Sequence, residues 1–219
     1  MAAPDASRPE ARSAGAFAAR RGRAAVFAGC PRRTRSGDSP QGSAADMSPR
    51  PAIVGHDRAV TDLRVGIGVD AHALADGVPL FLGGIELPNE RGLVGHSDGD
   101  VLTHALVDAL LGAAGQGDIG TLFPSGDPEW EGASSLRFLE HAYAVVREAG
   151  FELVNADCVL VGERPHIAPL RRRMEARLAE TLGVPADRVS IRATTTDGLG
   201  FTGRGEGLAA HAVALLARA

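Results

Sequence analysis

The chain has 219 residues, 44% of them hydrophobic and 23% charged, with 28 Gly, 13 Pro and 4% aromatic side chains, a composition that suits one globular domain and leaves little room for a second. Residues 64–219 carry 13 Arg against 21 Asp plus Glu, a formal −8, while residues 1–63 carry +4; an acidic body repels nucleic-acid backbones, and no run of about 18 apolar residues is present to span a membrane. The two cysteines, Cys30 and Cys158, are too few for a disulfide scaffold or a cysteine-based zinc module and fit a reducing, cytosol-like compartment.

Residues 1–62 are built from Ala, Arg, Ser, Pro and Gly without a helical or strand period, which predicts a disordered tail ahead of a folded domain over 63–219. Residues 1–35 hold eight Arg and two acids, a composition shared with organelle transit peptides. All 23 basic residues of the chain are Arg, as GC-rich coding produces. That bias points to a bacterium, hence to a cytoplasmic rather than plastid protein and to an extended reading frame with Met47 near the true start. It also leaves no lysine for Schiff-base or general-base chemistry.

From Arg64 the character changes. Residues 64–70 alternate as a strand does, and the strand runs into Asp70-Ala71-His72, whose two polar side chains share a face. Residues 80–82 and 85–87 predict a hairpin around Gly83-Gly84. Ser97 or Asp98 is expected to cap a helix reaching about Ala114, with Val101, Leu102, Leu106, Ala109 and Leu110 on its apolar face. Further helices are expected over about 133–149, stopped by Gly150, and 167–182, stopped by Gly183. Strands are expected over 151–161 and 189–193. Residues 208–218 read as helix by alanine propensity and as strand by Ala212-Val213-Ala214-Leu215. The alternation of strands and helices predicts an α/β domain.

Three stretches carry chemistry. Asp70, His72 and the helical His104 supply one carboxylate and two imidazoles, enough for a zinc site that keeps one position open; separate structural fates also fit the spacing, with Asp100 or Asp108 available to pair with or orient His104. Residues 95–100, Gly-His-Ser-Asp-Gly-Asp, place His96 and Ser97 ahead of a helix start, where free N–H groups favour a phosphate or simply a cap. Residues 193–207 concentrate hydroxyls, Asp197, Arg204 and five glycines, and glycine lets a backbone approach an anion closely. The segment lacks the Gly-Lys-Ser/Thr ending of a nucleotide P-loop, and Arg204 and Glu206 also suit a structural ion pair. Cys158 sits in an apolar strand, where a thiol is inert.

Taken in order, Asp70-Ala-His72, the 95–100 stretch followed by His104, residues 117–124 (Gly-Asp-Ile-Gly-Thr-Leu-Phe-Pro) and residues 194–207 resemble the 2-C-methyl-D-erythritol 2,4-cyclodiphosphate synthase family. The resemblance covers the whole body from Arg64 and none of the tail. It implies an α/β subunit with a mixed sheet and helices packed on one face, a homotrimer with active sites at the subunit interfaces, and a small-molecule cytidine diphosphate substrate in non-mevalonate isoprenoid biosynthesis. Under it residues 208–218 become a strand. It assigns Zn2+ to Asp70, His72 and His104, and Mg2+ or Mn2+ to Asp197. His96 and Thr195 match residues that stabilise the transition state, and Ser97 sits with His96 at the substrate phosphate. Asp70, His72, Thr194, Phe201 and Arg204 match further substrate contacts. Asp118 and Gly120 match the ribose contacts, Phe123 to Asp127 the loop around the methylerythritol unit, and Gly162 to Ala168 the cytosine pocket.

Asp197 is one methylene shorter than the Glu of other members, so its metal bond is expected to pass through a water. Gly198 and His166 stand where other members can carry lysines, and Ser125 replaces an acid in the substrate loop. Two readings compete with the synthase: a zinc phosphohydrolase that activates water at the open metal position, and a trimer that binds nucleotide diphosphates without turnover.

Overall fold

The computed structural model describes residues 62–88, 91–124, 128–130 and 132–219. The tail expected over 1–62 lies outside them except for Asp62, whose carboxylate pairs with Arg64 and Arg218. The elements in chain order are β1 (Leu63–Asp76), β2 (Leu80–Leu82), β3 (Ile85–Leu87), β4 (Arg91–Leu93), α1 (Val101–Ala114), α2 (Ile119–Leu122), α3 (Ser135–Glu148), β5 (Phe151–Val161), α4 (Arg171–Leu182), β6 (Val189–Thr194), α5 (Gly200–Gly203) and β7 (Gly207–Arg218). Five strands form a mixed sheet in the order β4-β1-β7-β5-β6, with β5 and β6 parallel and the other pairs antiparallel; β2 and β3 form a separate hairpin. No helix among the described residues is long and apolar enough to cross a membrane.

The inward face of β1 is made by Gly66 and Gly68, while Val65, Ile67 and Val69 are 70%, 68% and 53% exposed on the other face. A Cβ on Gly68 would lie 1.9 Å from the Ala105 carbonyl oxygen, and one on Gly66 2.1 Å from that of Ala109. Helix α1 therefore rests directly on the β1 backbone, as only a glycine face permits. The neighbouring strand β7 continues the same floor with Ala210, Ala212 and Ala214, all fully buried, while His211 and Val213 face out. This period of two decides the C-terminal segment in favour of strand: helix propensity is a weak prior, and alternating small residues under α1 bury what a helix there would leave in solvent.

Covered on nearly every side, α1 buries the expected Val101, Leu102, Leu106, Ala109 and Leu110 and also Val107 and Leu111. Its start is later than the sequence predicts. Gly99 takes a positive φ of 72°, and Asp100 rather than Ser97 or Asp98 is the cap, accepting from the Thr103 N–H. The same buried carboxylate accepts from the Thr103 hydroxyl and from the N–H groups of Gly83 and Gly84, so it ties the helix start to the β2–β3 turn.

Helix α3 begins after the Ser134 cap, close to expectation. Helix α4 begins at Arg171 instead of 167, because Pro169 disfavours helical geometry at the residue before it. Strand β4 and helix α2 are too short to leave a period in the sequence.

The contact between α1 and β1 yields a test. Gly68→Ala drives a methyl into the Ala105 carbonyl, an overpacking that costs about 1–3 kcal/mol, each kcal/mol lowering the melting temperature by about 2–4 °C at this size. Gly112→Ala, whose Cβ would have nothing nearer than 3.9 Å, is expected to leave the melt unchanged or raise it. Thermal unfolding followed by circular dichroism checks both.

Candidate metal centre and phosphate loop

Past the glycines, the inward face of β1 continues as Asp70 and His72. Helix α1 runs antiparallel to that progression: Ala109 lies over Gly66 and Ala105 over Gly68, which brings the next residue toward the helix start, His104, over the two polar side chains. The result is a triangle of ligand atoms. Asp70 Oδ2 lies 2.9 Å from His72 Nε2 and 3.0 Å from His104 Nδ1, and the two nitrogens are 3.2 Å apart. Tetrahedral coordination with bonds of about 2.0–2.1 Å gives ligand separations of roughly 3.3 Å. The triangle is thus close to the size an ion would set. Among the described residues this is the one group of three such side chains close enough to share a metal.

The remaining ring nitrogens fix which atom each imidazole presents. His72 Nδ1 is 2.7 Å from the Val94 carbonyl oxygen, an acceptor only, so Nδ1 carries the proton and Nε2 offers its lone pair. His104 Nε2 is 2.8 Å from Ser135 Oγ and 3.0 Å from Ser97 Oγ. The Ser135 hydroxyl donates to Asp98 Oδ1 across a short contact, while the Ser135 N–H donates to Asp98 Oδ2 at 2.9 Å. With its hydrogen given to Asp98, Ser135 accepts from His104 Nε2, which leaves Nδ1 facing the centre. Burial works against an ionised Asp70, but without a metal, a second proton on the inner nitrogens of His104 and His72 supplies hydrogen bonds and charge that outweigh it and hold the carboxyl far below its usual range; a bound cation would take the place of those protons. Asp70 in turn raises the pKa of His72.

Neither Asp100 nor Asp108 orients His104, contrary to the expected helical pairing. Asp100 is the helix cap, and Asp108 accepts from the Ile119 N–H at 2.8 Å, its pKa raised by burial. The orienting pair, Asp98 and Ser135, is absent from the sequence reading because Ser135 lies 31 residues beyond His104. In the first turn of α1 the Asp100 carboxylate takes the Thr103 N–H. His96 is exposed, and Ser97 turns its hydroxyl to His104.

The second cluster stands at the far edge of the sheet, where β6 ends. Thr194, Thr195 and Asp197 are exposed, the Thr195 hydroxyl is 3.3 Å from Asp197 Oδ1, and Asp197 takes a positive φ of 52°. Asp197 is not among the three side chains of the β1 cluster. Gly162 donates to the Thr194 carbonyl at 3.0 Å, which joins the expected cytosine segment to this loop. Ala168 is exposed in the turn before α4. Phe201 is 42% exposed, and Arg204 pairs with Glu206 at 2.7 Å. Asp118 caps α2 through the Thr121 N–H, with Gly120 beside it. The Phe123 ring packs inward, stacked on Phe138 with centroids 4.6 Å apart, and Phe138 stacks on His104. Ser125 and Asp127 lie outside the described residues. Cys158 is buried, and burial pushes its thiol up to about 12, in line with an inert core cysteine.

Residues 63–217 match the YgbB family. A 2-C-methyl-D-erythritol 2,4-cyclodiphosphate synthase from Moorella thermoacetica is 53% identical over 154 residues, covering 70% of this chain and 94% of its own. The bifunctional enzyme IspD/IspF of Erythrobacter litoralis is 54% identical over 156 residues; the match covers 71% of this chain and 40% of that larger protein. A solved structure of 2-C-methyl-D-erythritol-2,4-cyclodiphosphate synthase in a CDP-bound form is 42% identical, with a TM-score of 0.65 over 70% of this chain and 99% of its own. With its two polar clusters, its mixed sheet and more than half of its residues matched, the chain belongs to the YgbB family of 2-C-methyl-D-erythritol 2,4-cyclodiphosphate synthases.

Proposed function

We propose that Asp70, His72 and His104 hold Zn2+, and that this centre and the Thr195–Asp197 loop of a second copy of the chain together form one active site. The activity is that of the family: conversion of 4-diphosphocytidyl-2-C-methyl-D-erythritol 2-phosphate to 2-C-methyl-D-erythritol 2,4-cyclodiphosphate and CMP, in isoprenoid precursor biosynthesis. The observation that carries the zinc reading is the convergence of three ligand atoms within 3.2 Å, each presented by a hydrogen bond on the opposite side of its ring or by the strand.

Support for the shared site comes from register. Ala71 pairs with Ala209, Ala209 with Val161 and Val161 with Thr194, so the two polar clusters stand at the same level of the sheet. Three interstrand spacings, roughly 14 Å in all, separate them. One phosphoryl group cannot touch both within a single chain. Val65, Ile67, Val69 and Val213 expose a contiguous apolar face on the sheet, the surface a subunit interface buries, and a closed homotrimer of such faces brings the β6 end of one copy to the β1 end of the next. The CDP-bound relative supports a cytidine nucleotide ligand for that cleft.

In the reaction an oxygen of the substrate's 2-phosphate bonds to the β-phosphorus, and the bond from that phosphorus to the oxygen bridging to the α-phosphorus breaks, its electron pair leaving with CMP. The nucleophile is already anionic, so positioning and charge neutralisation suffice. Two phosphate charges about 4 Å apart repel by roughly 4 kcal/mol at an effective dielectric near 20. Zn2+ at the triad and Mg2+ or Mn2+ at Asp197 supply, when bound, the positive charge that offsets this repulsion. His96 and Thr195 stabilise the transition state as hydrogen-bonding groups, and Ser97 holds the phosphate edge beside His104. Asp118 and Gly120 serve the ribose, residues 162–168 the cytosine, and Thr194, Phe201 and Arg204 the remaining contacts.

A hydrolase would need a free base for water. Asp98 is committed to Ser135, and Asp100 accepts from four donors, so neither carboxylate near the centre is placed for that task.

Two measurements test the reading. Ser135→Ala is expected to weaken zinc affinity about 10–100-fold with little change in the melt of the metal-free protein, read by competition with a chromogenic chelator; unchanged affinity removes Ser135 from the centre. Turnover in ¹⁸O-labelled water is expected to give unlabelled cyclic diphosphate and CMP in equal amounts, without inorganic phosphate. One solvent oxygen in either product makes water the nucleophile and the protein a hydrolase.

A further inference from the structure

The Gly-rich segment around Asp197 was expected to offer its backbone to a bound anion. The structure fills that place with a side chain of the protein. Glu163, half-buried two residues past the end of β5, directs one carboxylate oxygen, Oε1, at the loop after β6. That oxygen accepts from the Thr196 N–H and the Gly198 N–H, both at 3.2 Å. The two donors bracket Asp197, whose φ of 52° is a conformation that a non-glycine residue holds only when its surroundings enforce it.

The rest of the loop is built around the same pose. The Thr196 hydroxyl donates to the Leu199 carbonyl at 2.6 Å and sits 3.2 Å from the Thr202 hydroxyl, and Leu199 N–H returns to the Thr196 carbonyl at 3.0 Å. Gly203 lies against the Gly198 backbone so closely that a Cβ there would come within 2.2 Å. Thr196 is therefore the inward, structural member of the trio, and Thr195 and Asp197 are exposed on either side of it. Successive N–H groups in a turn of this kind attract an anion. Here the anion is supplied from within the chain.

We infer that Glu163 is the positioning residue for Thr195 and Asp197: its carboxylate occupies the loop's anion site, fixes the left-handed Asp197 backbone, and so aims both side chains at the substrate phosphate and the second cation. The inference rests on the roles given to Thr195 and Asp197 above. Glu163 belongs to the 162–168 stretch proposed for the cytosine, and its Oε1 acts on Thr195 and Asp197 only through the Thr196 and Gly198 amides. Its glutamine variant retains a carbonyl oxygen able to accept from both amides, whereas alanine leaves them without a protein acceptor.

The test compares full-length, zinc-loaded wild type, Glu163→Gln and Glu163→Ala. Three readouts are taken: hydrogen exchange at the Thr196 and Gly198 amides, Mn2+ binding in the presence of CDP followed by electron paramagnetic resonance, and kcat with KM. Glu163→Ala is expected to exchange those amides about tenfold faster and to bind Mn2+ about tenfold more weakly. Its kcat falls more than its KM rises, while zinc content and the melting temperature stay at wild-type values. Glu163→Gln is expected to recover most of each loss.

Wild-type exchange in Glu163→Ala overturns the inference. So does a Glu163→Gln variant as impaired as Glu163→Ala, which would make charge rather than positioning the role. If Glu163→Ala fails to fold, the exchange and Mn2+ affinity of Glu163→Gln decide alone, since near-wild-type values are required there. An Asp197→Asn protein that binds Mn2+ as wild type does would defeat the assignment of Asp197 instead, and the amide exchange would still judge Glu163.

Discussion

Everything in the candidate centre depends on how closely α1 rests on β1. Gly66 and Gly68 remove the side chains that would hold a helix away from the sheet, and Ala105, Ala109 and Ala113 meet them from the helix. The same progression that stacks Ala109 on Gly66 and Ala105 on Gly68 puts His104 over Asp70 and His72. A bulkier floor would lift the helix and open the 2.9–3.2 Å triangle. The fully buried alanines of β7 extend this floor under the same helix, so a packing requirement and a ligand geometry are met by one choice of small residues.

Close approach alone would leave two imidazoles with undecided tautomers. The Val94 carbonyl settles His72, and the Asp98–Ser135 pair settles His104. Both are hydrogen bonds on the far side of the ring, so the lone pairs that remain converge with the Asp70 carboxylate. A similar arrangement recurs at the loop after β6, where Glu163 accepts from two backbone amides that flank the exposed Asp197. At both clusters a carboxylate accepts from the protein's own donors beside a side chain proposed for the site.

Much of this was legible in the sequence. The β1 alternation, the hairpin at Gly83-Gly84, β5, and the ends of α3 and α4 at glycines follow from short-range rules. The candidate site residues stood out because histidines are few and one run concentrates hydroxyls and glycines. What the sequence left dark is long-range or too short to have a period. Asp98 and Ser135 act on His104 across tertiary contacts, β4 and α2 are three and four residues long, and Asp100 caps α1 because Gly99 breaks the backbone just before it. The alanine-rich β7 was ambiguous in principle, since only the presence of α1 above it decides between helix propensity and a period of two.

In the proposed centre one metal ion replaces the direct contacts among Asp70, His72 and His104. This replacement is tested most directly by anomalous diffraction at the zinc edge from crystals of the zinc-loaded protein. A single strong peak per chain is expected within about 2.0–2.2 Å of Asp70 Oδ2, His72 Nε2 and His104 Nδ1, with the Val94 and Ser135 hydrogen bonds unchanged. A zinc-saturated protein whose peak lies elsewhere, or in which Asp70 still bonds His104 directly, would contradict it.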